Sequence, residues 1–271
     1  MPELPEVETT LRGIAPHTRG RRIIDVRVRE RRLRWPIEKR LPALLRGAEV
    51  QDLQRRAKYM LFATDAGYFM LHLGMSGSLR VLPVGTAPGK HDHVDIVLDS
   101  DQLLRFNDPR RFGSLHWLGD TPLQHDLLRH LGPEPLAKDF DGDYLFARSR
   151  KKKQATKQFI MDGKIVVGVG NIYASEALFM AGIRPGRAAG RVSADAYNKL
   201  AIAIKQVLQD SIEMGGTTLR DFVGGDGKPG YFRQTLRVYG RAGQPCVNCN
   251  SEIRQKRLSQ RSTFYCSNCQ S

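Results

Sequence analysis

The chain has 271 residues, of which 41% are hydrophobic and 26% charged, as is ordinary for a soluble globular protein with more than one domain. Lysine and arginine total 43 against 28 acidic residues, and this net charge of +15 favours a polyanionic partner, first of all nucleic acid, with a ribosomal or membrane-surface role as alternatives. No stretch approaches the ~20 apolar residues that span a bilayer, and no apolar signal segment opens the chain, so we expect a cytoplasmic protein without a membrane partner.

The first eight residues allow two interpretations. Removal of the initiator methionine would expose Pro2 as a secondary amine, next to the carboxylates Glu3 and Glu6. An α-amino group has a pKa near ~8, so a fraction is uncharged and nucleophilic at neutral pH, and its attack on a sugar carbon would end in an iminium. The other interpretation is a helix that begins at Pro5, with Glu6 and Glu8 favoured by its dipole. On its own, the peptide favours the helix start.

Hydrophobic periodicity predicts one helix followed by short strands. In residues 4–14 the apolar side chains recur at helical spacing, and Gly13 marks the expected end. Alternating apolar and polar residues then predict eight strands, at 24–28, 48–54, 58–64, 68–73, 78–83, 93–99, 102–107 and 112–118. Short strands at this spacing are typical of an antiparallel β-sandwich or flattened barrel.

The pattern changes around residues 120–148. Gly132-Pro133-Glu134-Pro135 breaks regular structure, and two later segments, 172–182 and 194–214, have helical periodicity. We therefore predict an α+β multidomain protein. Its predicted parts are an N-terminal helix plus antiparallel β-sandwich domain at 1–132, a helical domain at 133–234 and a C-terminal hairpin at 235–271.

All the cysteines lie near the C-terminus. They form two Cys-x2-Cys pairs, Cys246 with Cys249 and Cys266 with Cys269. Four thiolates suit one tetrahedral ion and leave no open position, so we predict one structural zinc ion rather than two disulfides or free thiols. Basic residues between the pairs, Arg261 among them, indicate a hairpin aimed at phosphates, although such a module fits a transcription factor equally well.

The segment Gly168-Val169-Gly170-Asn171 suggests a dinucleotide-binding loop at first. Tyr173 stands where that motif has its third glycine, and the strand–helix–strand context is missing, so we reject this interpretation. A glycine turn before a helix can instead hold a phosphate with backbone N–H groups and the Asn171 amide. A simple inter-helix turn would be favoured if the basic run 151–153 and Lys157 did not lie upstream.

Met75 lies between glycines in a turn-rich segment, where a core methionine is unusual. Together with Arg110 and Phe112 it could form a wedge that enters a stacked duplex and fills the space left by an extruded base. Taken one at a time these residues fit ordinary packing, Phe112 most of all. Lys58 stands in a basic run, and composition does not distinguish it from a solvated lysine.

In this order and at these spacings, the motifs resemble those of the bacterial formamidopyrimidine-DNA glycosylase family over essentially the whole chain. The matching segments are PELPEVET at 2–9, RRAKY at 55–59, LGMSGSLR at 73–80, KHDHVD at 90–95, DPRRFG at 108–113, GVGNIYASE at 168–176, DGKPGYF at 226–232 and the four cysteines. Leu4 favours this branch over the related endonuclease VIII branch, which usually has glycine there. The resemblance implies a helix–two-turn–helix domain before the zinc β-hairpin.

The resemblance also implies an activity, that of a bifunctional DNA glycosylase and abasic-site lyase of base excision repair. Such an enzyme removes oxidised purines, 8-oxoguanine and formamidopyrimidines, and needs no organic cofactor. Pro2 would attack the sugar and Glu3 would act as general acid. Lys58 would be the proton donor for β-elimination, and Arg261 the one for δ-elimination and a ligand of the lesion's phosphates.

The implied partner is double-stranded DNA that contains oxidised purines or abasic sites, bound by a monomer. Met75, Arg110 and Phe112 would form the wedge, with Arg110 facing the orphaned cytosine. The other implied DNA contacts are His72, His91, Lys152, Lys157 and Asn171, and the residues implied to recognise the lesion are Glu6, Thr217, Thr218 and Tyr231. The rival hypotheses are a damage sensor without the chemistry and an enzyme that removes oxidised pyrimidines.

Overall fold

The computed structural model describes residues 2–216 and 235–271. The described chain forms two compact units, the first from residues 2–129 and 214–216, the second from residues 130–213 and 235–271. In the described residues, no helix is both long and apolar enough to cross a membrane.

The first unit begins with helix α1, Leu4–Thr18. Its apolar face is buried as predicted, but the predicted end near Gly13 is wrong. Ile14 and Thr18, beyond that glycine, are fully buried. The packing of these side chains outweighs the ~1 kcal/mol that a glycine costs inside a helix.

All eight predicted strands are present, with ends that shift by at most two residues. They are β1 Ile23–Val28, β2 Val50–Arg56, β3 Tyr59–Thr64, β4 Gly67–His72, β5 Ser78–Pro83, β6 Asp92–Leu98, β7 Gln102–Asn107 and β8 Ser114–Gly119. A short helix that the sequence reasoning missed, α2 Leu41–Leu45, follows β1.

The strands form two antiparallel four-stranded sheets, in the orders β1-β6-β7-β5 and β2-β3-β4-β8. Buried side chains from both sheets and from α1 belong to one apolar core. Within it the rings of Phe62 and Phe69 stack with centroids 4.4 Å apart. The predicted β-sandwich is therefore confirmed, and it fixes the first turn of α1 against a close-packed interior.

The second unit is helical and ends in a hairpin. Its elements are α3 Gly142–Ser149, α4 Thr156–Met161, α5 Asn171–Met180, α6 Ala194–Glu213, β9 Ile253–Leu258 and β10 Arg261–Cys266. The two predicted helices correspond to α5 and α6. Residues 172–179 of α5 are all buried, so this helix is enclosed on every side and can carry fixed groups at its ends.

Candidate active site and nucleic-acid interface

The start of α1 combines both interpretations of the first residues. Pro2, Glu3 and Glu6 are buried, and Glu3 occupies the position just before the helix. The Glu6 carboxylate accepts a hydrogen bond from the backbone N–H of Glu3 at 2.8 Å, one half of a capping box. Pro5 lies in the first turn, where its missing N–H costs nothing. The helix start therefore holds Pro2 and Glu3 in one place.

Lys58 lies in the two-residue turn between β2 and β3, where Arg56 pairs with Tyr59. Ala57 adopts the left-handed conformation there, with φ of 55°. The Lys58 side chain is half-buried, and its charge acts on His72, which pairs with Tyr59 across β3 and β4. A tight turn thus presents Lys58 at a fixed direction, a feature that composition did not indicate.

His72 is a neutral side chain at physiological pH. Burial, followed by the charges of Lys58, Arg34 and His116, lowers the pKa of His72 to about 4. Its Nδ1 accepts a hydrogen bond from the backbone N–H of Gly74 at 3.0 Å. In the neutral ring the proton then sits on Nε2, so His72 can donate one hydrogen bond, for example to a phosphate, without adding charge.

The structure brings the three proposed wedge residues together. The guanidinium of Arg110 lies 5.0 Å from the ring centre of Phe112, and the Phe112 side chain is 40% exposed, unlike a core residue. Met75 is half-buried. Together with neighbouring arginines and His72, these residues line a cavity of about 760 Å³.

One buried carboxylate, Asp108, connects the two wedge loops, which are the β4–β5 loop with Met75 and the β7–β8 loop with Arg110 and Phe112. It accepts hydrogen bonds from the Ser76 hydroxyl at 3.1 Å and from the backbone N–H groups of Arg110 and Gly113 at 3.3 and 2.7 Å. A Cβ on Gly74 would meet the Phe112 backbone at 2.4 Å, so only glycine permits this approach of the loops. Sequence reasoning missed Asp108, although an aspartate before proline at a strand end is a turn signal.

His91 is half-buried on the loop before β6. Its carbonyl accepts the backbone N–H of Asp108 at 3.0 Å, and its ring centre lies 6.5 Å from that of His93. Together with Lys90 and Arg111 it lines a second cavity, of about 430 Å³. This backbone hydrogen bond connects His91 to the loop that carries Arg110 and Phe112.

In the second unit, two proposed DNA contacts meet at the β9–β10 hairpin. The Lys157 ammonium is buried and donates to the Ser262 carbonyl at 3.2 Å and the Thr263 hydroxyl at 3.0 Å. Asn171, the first residue of α5, donates through Nδ2 to the same Ser262 carbonyl at 3.1 Å. Arg261 precedes Ser262 and is exposed. Lys157 and Asn171 thus fix the strand that carries Arg261.

The remaining predicted contacts are Lys152 and the residues expected to recognise the lesion. Lys152 is exposed in the turn after α3, where its carbonyl accepts the backbone N–H of Gly190 at 2.9 Å. Thr217, Thr218 and Tyr231 lie outside the described residues. Gly216, just before them, is beside Glu6, because a Cβ there would meet Glu6 Oε1 at 3.4 Å.

The four cysteines form a cluster that fits a zinc ion. All their sulfurs lie within 4.8 Å of one another, and the Cys246–Cys269 and Cys249–Cys266 Sγ atoms are 3.8 and 3.5 Å apart. A tetrahedral zinc with Zn–S bonds of about 2.3 Å places its sulfurs ~3.8 Å apart. The set packs against Phe179 of α5 and Phe264 of β10, so a bound ion would anchor the hairpin to the helical unit.

Three family models match successive parts of the chain. Residues 1–115 match the formamidopyrimidine-DNA glycosylase N-terminal domain, residues 131–223 the H2TH domain of the same proteins, and residues 243–271 a zinc finger found in FPG and IleRS. The third match agrees with the cysteine cluster and supports zinc binding by this chain.

Curated relatives match the full length. The formamidopyrimidine-DNA glycosylase of Hahella chejuensis is 58% identical over 270 residues, and that of Alcanivorax borkumensis 60% identical over 271, with all of both chains covered in each case. Among solved structures, the MutM (FPG) protein of Thermus thermophilus has a TM-score of 0.89 at 36% identity, covering 99% of this chain and 98% of its own. Lactococcus lactis Fpg in complex with DNA containing an abasic site has a TM-score of 0.91 at 31% identity, covering 99% of each chain.

Proposed function

Because the chain belongs to the formamidopyrimidine-DNA glycosylase family, we propose that it excises 8-oxoguanine and formamidopyrimidines from duplex DNA and then cleaves the abasic site. The relatives support these substrates, since one solved structure contains DNA with Fapy-dG and another DNA with carbocyclic 8-oxo-G. The observation that carries the proposal is the start of α1, which holds Pro2 and Glu3 buried at a helix N-terminus.

Base removal begins at the Pro2 nitrogen, after loss of the initiator methionine. Its lone pair bonds to the sugar C1′, the glycosidic C–N bond breaks with its electrons on the base, and the base takes up a proton. The Pro2 N–H proton is released, and the C1′–O4′ bond then opens as Glu3 donates a proton to O4′. The product is a cationic iminium between Pro2 and C1′ that keeps the enzyme covalently attached to DNA.

Strand cleavage follows from that iminium. It acidifies the C2′ proton, whose removal supplies the electron pair that expels the 3′ phosphate, and a second elimination expels the 5′ phosphate. Lys58 serves as proton donor for the first elimination and Arg261 for the second. Water then hydrolyses the iminium and returns the Pro2 amine. These steps use no organic cofactor.

The proposed DNA contacts are of two kinds, residues that enter the duplex and residues that contact its backbone. Met75, Arg110 and Phe112 enter the duplex and keep the damaged nucleotide extruded, with Arg110 facing the cytosine left behind. Neutral His72 donates one hydrogen bond to a phosphate. The remaining proposed contacts with the DNA backbone are His91, Lys152, Asn171 and Arg261. The buried Lys157 ammonium, bonded to Ser262 and Thr263, acts through the hairpin that carries Arg261.

Recognition of the damaged base is assigned to Glu6, Thr217, Thr218 and Tyr231. The position of Gly216 beside Glu6 supports the grouping of that carboxylate with the segment that follows Gly216. The four cysteines would hold one zinc ion, whose role is structural, because four protein ligands leave no position for substrate.

Borohydride trapping tests the proposal. Borohydride reduces an iminium to a stable amine, so the enzyme mixed with an 8-oxoguanine duplex should give a covalent protein–DNA adduct. Pro2→Gly should reduce the adduct at least tenfold, and one extra residue before Pro2, which turns the amine into an amide, should abolish it. Absence of an adduct from the wild-type chain under single-turnover conditions would exclude the mechanism. A preference for oxidised pyrimidines in the same assay would assign the chain to the other branch.

A further inference from the structure

Two of the proposed reacting groups of the first unit stand on different elements. Pro2 precedes α1, whereas Lys58 lies in the β2–β3 turn. The iminium forms on Pro2, but the elimination attributed to Lys58 takes place one and two carbons away on the same sugar. The two groups must therefore keep a fixed geometry while the substrate changes, because small misplacements cost large factors in rate.

One guanidinium, that of Arg55, contacts both elements. Its Nε donates to Glu8 Oε2 on α1 at 2.8 Å, and its Nη1 donates to the Ala57 carbonyl at 3.0 Å. The Arg55 side chain is only 10% exposed and that of Glu8 17%. Such a partly desolvated ion pair is geometrically stricter than a surface pair, and the planar fork of arginine suits two acceptors at once.

The second of these contacts acts on the residue before Lys58. Ala57 has a φ of 55°, a left-handed backbone conformation that residues other than glycine seldom adopt. Its carbonyl belongs to the peptide plane that joins it to Lys58. Rotation of that plane would redirect the Lys58 side chain, and the hydrogen bond from Arg55 opposes the rotation.

The first contact holds Arg55 in turn. Burial alone would raise the pKa of Glu8, but hydrogen bonds and charges from Arg55 and Arg12 hold it below its ordinary value. Glu8 is therefore ionised through the neutral range. Arg12 reaches the other carboxylate oxygen at 2.8 Å from the surface, with 60% of its side chain exposed. Arg12 thus provides a matched control, an arginine that binds the same carboxylate from the solvent side.

We infer that Glu8 and Arg55 are positioning residues for the abasic-site lyase step, which couple the helix that carries Pro2 to the turn that carries Lys58. The inference rests on the proposed function and adds to it a structural link between its two steps. Loss of the link misplaces Lys58 while α1 still presents Pro2. Strand cleavage therefore slows more than iminium formation does.

The test compares two single-turnover rates on DNA that already contains an abasic site, so that base recognition does not contribute. Iminium formation is followed by borohydride trapping, and β-elimination by strand nicking. Arg55→Lys, which can reach one acceptor but not both, should slow nicking about tenfold and trapping less than twofold. Glu8→Gln, which keeps the shape of the side chain, should slow nicking about threefold. Arg12→Ala should leave both rates unchanged.

A second comparison separates positioning from general damage to the fold. In a Lys58→Gln background, Arg55→Lys should have no further effect on nicking, because the group through which it acts is gone. An undiminished tenfold effect in that background would overturn the inference, as would equal losses in trapping and nicking. If Arg55→Lys fails to fold, as judged by thermal unfolding, Glu8→Gln carries the same comparison. A wild-type chain that forms no adduct overturns the proposed function itself, whereas a normal wild-type adduct with unchanged nicking in both variants overturns only the link.

Discussion

The start of α1 and the β9–β10 hairpin each hold a proposed functional side chain in place, but they do so by different means. At the start of α1, Pro2 and Glu3 are followed by Leu4, which is fully buried, and by Val7, which belongs to a core shared with two sheets. The hairpin has a core of only a few apolar residues, grouped around the four cysteines. The helix start is thus stabilised by packing, and the hairpin by polar contacts and by the four cysteines that fit a zinc ion.

This contrast has consequences for robustness. Many small dispersion and hydrophobic contributions hold α1, so the loss of one contact removes only part of the stabilisation of the helix start. The hairpin instead depends on a few strong interactions, namely the cysteine cluster and the donors Lys157 and Asn171 at Ser262. Loss of zinc from the cysteine cluster should therefore disorder the whole hairpin, and Arg261 with it.

Zinc removal should have the largest effect and should act on the hairpin. Structural zinc contributes on the order of 10 kcal/mol to small modules, far more than the apolar contacts of this hairpin can supply. After chelation, the amide NMR signals of β9 and β10 should lose their dispersion while those of β1 to β8 remain. DNA affinity should fall more than tenfold and recover when zinc is restored. Unchanged affinity after verified loss of zinc would contradict the comparison.

Leu4→Ala should have the next largest effect, and it should act on the start of α1. Leu4 is fully buried, and such truncations cost about 2–5 kcal/mol. The midpoint temperature for thermal unfolding of the first unit should fall. The borohydride adduct should form more slowly because the helix start frays. Leu123→Ala is the matched control, since that side chain is 58% exposed and should change stability by less than ~0.5 kcal/mol. Equal shifts for the two variants would mean that packing does not hold α1.

The smallest effect concerns pH and again belongs to the first unit. His72 has its pKa lowered to about 4, against about 6.5 in the unfolded chain, so the unfolded state binds more protons between these values. The contribution of neutral His72 to stability is therefore complete above pH ~6.5 and is lost as pH falls towards 4. His72→Gln should make the free energy of unfolding depend less on pH between about 4 and about 6.5. An NMR titration that gave His72 a pKa near 6.5 would refute the assignment.

Much of the fold followed from local pattern. Apolar alternation located eight strands, and the cysteine spacing located a four-sulfur cluster, because each depends on residues close together in sequence. The end of α1 was misplaced because Ile14 and Thr18 are held by a core that local propensity cannot represent. Asp108 was missed because its three hydrogen-bond donors come from two loops.

The sequence by itself determined the eight strands, the helices α5 and α6 and the four-cysteine cluster, since these depend on the spacing of residues close together in the chain. The candidate reactive residues were implied by the resemblance of whole motifs to one family. Only the tertiary structure decided what each side chain contacts. Lys157, expected from a basic run to meet phosphates, turns its ammonium towards the carbonyl of Ser262, more than a hundred residues away in sequence. Arg55, one arginine among many, contacts both Glu8 and Ala57. The physical reason is that hydrogen bonds and burial depend on distance in space, which sequence spacing does not encode.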